Sequence, residues 1–69
     1  MTVEELLKQL EHERMLEYVS VFRYGSEAQE AMLNDHIDDE IFYKDLHTKS
    51  CKEVERLDII IKELKKRVS

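Results

Sequence analysis

Apolar residues recur through this chain with the period of an α-helix. At 100° per residue, Val3, Leu6, Leu7, Leu10, Tyr18, Val21, Phe22 and Tyr24 share one broad face, with Glu5, Lys8, Gln9, His12, Glu13, Ser20 and Arg23 opposite. The spacing predicts an amphipathic helix over residues 3–24. Its start is marked by Thr2-Val3-Glu4-Glu5, where a hydroxyl and a carboxylate three residues apart can satisfy orphan backbone N–H groups. Arg14 falls inside the apolar stripe, and Leu16 and Val19 fall outside it, so one face does not absorb every large apolar side chain.

Gly25 is the only glycine and there is no proline. Glycine ends helices in the left-handed conformation at low cost, and Ser26-Glu27-Ala28-Gln29 reads as the next capping box. A turn is therefore expected at 25–26, followed by a helix over 27–68. Within that second arm Ala28, Met32, Phe42, Leu46, Leu57, Ile60, Ile61, Leu64 and Val68 keep one phase across the polar stretch from His47 to Glu53. Unbroken phase favours a single helix of about 42 residues, about 63 Å long, against about 33 Å for the first arm. Ser50-Cys51-Lys52-Glu53 is a third capping box and argues for a split near 47–50, which would give a compact three-helix bundle. That turn would contain no Gly, Pro or Asn, so the long helix is preferred. The expected fold is a single all-α domain, an antiparallel helical hairpin with a long second helix, dimerising into a helical bundle.

Length sharpens this picture. Sixty-nine residues bury a small core that ordinarily needs a staple. Cys51 is the single cysteine, so neither an intrachain disulfide nor a cysteine pair for zinc is available, and oligomerisation is the staple left. In the unequal hairpin the stripe Leu57, Ile60, Ile61, Leu64 and Val68 projects beyond the first arm, and it is the expected dimer interface. Tyr18, Tyr24 and Tyr43 are further interface candidates, because tyrosine anchors many interfaces.

The net charge of −5 argues against general affinity for nucleic acid or anionic membrane. No stretch approaches a membrane span, and the N-terminus lacks the pattern of a signal peptide, which together with a lone thiol suggests a cytoplasmic setting. Charge is uneven. From Glu27 to Asp58 ten acids face four bases, whereas from Ile59 onward one acid faces four bases.

Candidate chemistry is sparse. Asp35, His36, Asp39 and Glu40 lie at helical spacings that can hold a metal. Carboxylate-bridged sites in helical bundles, however, use Glu-x-x-His, and none of His12, His36 or His47 has Glu at that position. Cys51 would need a base and an activating environment to act as a nucleophile. A phosphate-binding loop needs several glycines. No catalytic residue and no cofactor follow from the sequence. The leading functional expectation is a non-enzymatic, acidic protein–protein interaction module of the adaptor, small-chaperone or inhibitor kind, homodimeric and with a further protein partner. The alternatives are a metal-binding bundle built on the 35–40 cluster, and an acidic decoy for the basic surface of a nucleic-acid-binding protein.

Overall fold

The computed structural model describes residues 2–68. Two antiparallel helices, α1 (Val3–Leu33) and α2 (Ile37–Val68), lie side by side in a rod of 50 × 15 × 14 Å. The described residues contain no strand.

α1 starts where the sequence places it. Thr2 has extended backbone, its Oγ1 accepts the Glu5 N–H at 3.1 Å, and Glu4 and Glu5 occupy the first turn, where the helix dipole favours negative charge. The helix then runs through Gly25 and Ser26, so the turn expected at 25–26 is absent. The chain reverses nine residues later, at Asn34-Asp35-His36.

That reversal is closed by cap hydrogen bonds. Asp35 takes the left-handed conformation (φ 57°), its N–H donates to the Met32 carbonyl at 3.2 Å, and the His36 N–H donates to the Ala31 carbonyl at 2.8 Å. This pair of hydrogen bonds is the Schellman closure, with aspartate in the place usually taken by glycine. Asn34 adds its side-chain amide to the Glu30 carbonyl at 2.9 Å. On the other side the His36 carbonyl accepts the Glu40 N–H at 2.9 Å and opens α2, whose first turn carries Asp38, Asp39 and Glu40.

The two arms are consequently equal, 31 and 32 residues, and the long overhanging second helix does not exist. α2 is unbroken through 47–50, which removes both the split and the three-helix bundle. Ser50 is buried inside α2, and Glu53 pairs with Arg56.

Equal arms change what is buried. Seam positions alternate by three and four residues, as Leu7, Leu10, Arg14, Glu17, Val21, Tyr24, Ala28 and Ala31 on α1 and Tyr43, His47, Ser50, Val54, Leu57, Ile61 and Leu64 on α2. None of these is exposed. Ile61 and Leu57 retain only 1% and 2% of their surface, and among the described residues α1 is the only other element available to cover them. Near the turn the seam narrows to Ala28 and Ala31, with Tyr24 and Tyr43 stacked at 6.5 Å between centroids.

Gly25 belongs to this seam. A Cβ placed on it would lie 3.4 Å from Cδ2 of His47, an ordinary van der Waals approach, and its φ is not positive. Glycine within a helix costs about 0.5–1 kcal/mol relative to alanine. Gly25→Ala is thus expected to raise the melting temperature, whereas a glycine ending a helix at 25 would make the same substitution destabilising. Asp35→Gly is also expected to stabilise, by about 1 kcal/mol or less, because it relieves the left-handed strain at the actual turn. Denaturant unfolding of the two variants measures both effects.

Candidate functional surface

The helix periodicity that builds the seam leaves a second stripe on the outside of α1. Met15, Tyr18, Val19 and Phe22 stand at i, i+3, i+4 and i+7, so they share one face. All four are exposed, and Phe22 retains 77% of its surface. Single exposed apolar residues are ordinary, whereas these four form one contiguous row. A second exposed apolar group surrounds the turn, where Leu33, Ile37, Ile41 and Phe42 are open to solvent. Phe42 meets Tyr43 edge-on at 5.2 Å.

Charged contacts flank the α1 stripe and fix the register of the hairpin. Arg14, the cation inside the apolar pattern, donates from Nη1 to Oδ1 of Asp58 across the seam at 2.6 Å. Lys62 reaches Oδ2 of the same carboxylate at 3.1 Å, and Lys65 reaches Glu11 across the helices at 3.3 Å. The hydrogen bond from Lys62, opposed by partial burial and reinforced by the Lys62 charge and by Arg14, holds the Asp58 carboxyl below the usual range. Arg56 does the same for Glu53 within α2.

The interface residues expected from sequence are dispersed by this architecture. Leu57 and Ile61 are sealed in the intramolecular seam, Leu64 is half-buried at its end, and Ile60 is half-buried beside it. The reason for expecting that stripe at a dimer interface, an overhanging second helix, is gone. Val68 and Tyr18 are exposed, whereas Tyr24 and Tyr43 are half-buried against each other. The Met15–Phe22 row went unrecognised. Its signal was present in Val19, which falls outside the apolar stripe of the first helix.

The 35–40 cluster is the hairpin turn itself. His36 Nδ1 stands 3.8 Å from Asp39, Glu40 is engaged by Lys44 at 2.7 Å, and Asp35 supplies the left-handed residue. Among the described residues no three His, Cys, Asp or Glu side chains come together as metal ligands. The Cys51 sulfur lies 3.9 Å from either ring nitrogen of His47, one turn earlier on α2. No helix of the described residues is long and apolar enough to cross a membrane.

Comparison with protein-family models, with curated proteins and with solved structures gives no match.

A carboxyl whose folded-state pKa is depressed stabilises the fold above its unfolded-state pKa, and that contribution disappears as pH falls through the folded-state value. The Asp58 contribution is therefore complete at neutral pH and lost in acid, below about pH 4. Asp58→Asn is expected to lower the melting temperature at neutral pH, and to show a smaller drop than the parent between about pH 5 and pH 2. Thermal melts across that range check the expectation.

Proposed function

We propose that the protein is a non-enzymatic, cytoplasmic interaction module that works as a homodimer, paired through the outer face of α1. The observation that carries this reading is the exposed row Met15, Tyr18, Val19 and Phe22 on a hairpin whose own core is small. Its buried apolar residues are Ala28, Ala31, Val54, Leu57 and Ile61, two of them alanines, and one seam of this kind leaves a chain of 69 residues marginal. Each large apolar side chain taken out of water contributes up to about 1.5–3 kcal/mol. A two-fold axis near Tyr18 and Val19 brings two copies of the row together, so that a single surface supplies both sides of the contact. The product is a four-helix assembly in which the two α1 helices meet and each is flanked by its own α2. Aromatic residues and methionine suit the middle of such an interface, where charged residues are depleted.

An adaptor or inhibitor-type regulator follows from this arrangement, since dimerisation duplicates whatever else the surface binds. Analytical ultracentrifugation at micromolar concentration is expected to give a dimer for the parent chain. Val19→Lys combined with Phe22→Lys is expected to give a monomer that remains helical by circular dichroism, because both side chains lie outside the seam. A folded parent monomer at that concentration would reject the reading.

A further inference from the structure

The turn end of the rod is a different surface, and its chemistry is of another kind. Leu33, Ile37 and Ile41 are exposed to 72%, 66% and 63%, and they bracket the reversal from both helices. Leu33 lies eleven residues beyond Phe22, about 16 Å along α1. Around this apolar tip the sequence from Glu27 to Tyr43 carries six carboxylates and no lysine or arginine. Glu40 is engaged by Lys44 and Asp39 by His36. The carboxylates of Glu27, Glu30, Asp35 and Asp38 make no ion pair among the described residues. Glu27 and Glu30 border a shallow groove between the helices, together with Ala31, Asp39 and the ring of Tyr43. The six other ion pairs among the described residues lie farther along α2 or join it to α1 towards the open end, so the uncompensated charge is concentrated at the tip.

We propose that the tip is a docking surface for a basic amphipathic segment of a partner polypeptide. Apolar side chains of the partner cover Leu33, Ile37 and Ile41. Its lysines or arginines face Glu27 and Glu30. Charge selects this occupant. A second copy presenting its own tip would bring like charges together in a desolvated contact, which is unfavourable. A second copy presenting its open end would make a head-to-tail contact that leaves each end of the assembly unsatisfied and grows without closing. A basic partner meets neither obstacle, and its attraction to the tip also accelerates encounter.

The test uses the full chain and three fluorescently labelled synthetic helices: one of lysine and leucine, one with glutamate for lysine, and one with glutamine for leucine. Anisotropy titration at low salt is expected to show binding of the lysine–leucine helix alone. Ile37→Ser with Ile41→Ser, and separately Glu27→Gln with Glu30→Gln, are each expected to weaken it by about tenfold or more. Glu4→Gln with Glu5→Gln, two exposed acids at the opposite end, should leave it unchanged. The Val19→Lys, Phe22→Lys chain should retain it, which separates this surface from the proposed dimer contact. Equal loss in the Glu4, Glu5 control, undiminished binding in either tip variant, or binding of the glutamate helix would overturn the proposal. So would concentration-dependent assembly of the parent that the Ile37, Ile41 variant abolishes, because a second copy would then be the occupant.

Discussion

The structure depends on a geometric limit: each helix has only one other helix to lean on. A single antiparallel seam covers one stripe of each helix and no more. The residues deepest in it, Leu57 and Ile61, are excluded from water because α1 runs the whole length of α2. Everything apolar off that stripe is left outside, and this is how one short chain comes to have a sound seam and a surface rich in exposed aliphatic and aromatic groups. The seam is also unusually polar for its size. Arg14 and His47 occupy positions that leucine would fill in a more stable hairpin, and Arg14 meets its carboxylate across the helices. Such a pair contributes little net stability, but it opposes sliding of one helix past the other.

Register follows from the same contacts. Arg14 opposite Asp58 and Gly25 opposite His47 have residue numbers that add to 72, and the cross-helix contacts Glu11–Lys65 and Tyr24–Tyr43 fall within five of that total, as expected of an antiparallel helix pair. The turn at Asn34-Asp35-His36 sits close to half that value. Local cap hydrogen bonds and distant side-chain pairing therefore specify one arrangement, the agreement between levels that defines a well-specified fold.

Much of this was legible in the residues. The helical period, the Thr2 cap, the all-α hairpin class and the continuity of the chain through His47 to Ser50 could all be read directly. The site of the reversal could not, for two physical reasons. Aspartate and asparagine can adopt the left-handed conformation that glycine adopts more easily, so Asp35 closed the helix where no glycine stood. Gly25, meanwhile, answers to packing against His47 rather than to backbone conformation. Phase continuity also misled. A three-residue connection is close to one helical turn of 3.6 residues, so the apolar pattern emerges from it almost unshifted and imitates an uninterrupted helix. Shifting the turn by nine residues was enough to move Leu57 and Ile61 from an expected interface into the seam. The same shift turned a candidate metal cluster at Asp35, His36, Asp39 and Glu40 into the cap of one helix and the start of the next.

Arms of matching length have one further outcome. Thr2 and Val68 finish at the same pole of a rod 50 Å long, and the acidic loop occupies the other. A tether, fluorophore or solid support attached at either terminus is thus held a full molecular length from the loop, which stays unobstructed whichever end is chosen for anchoring.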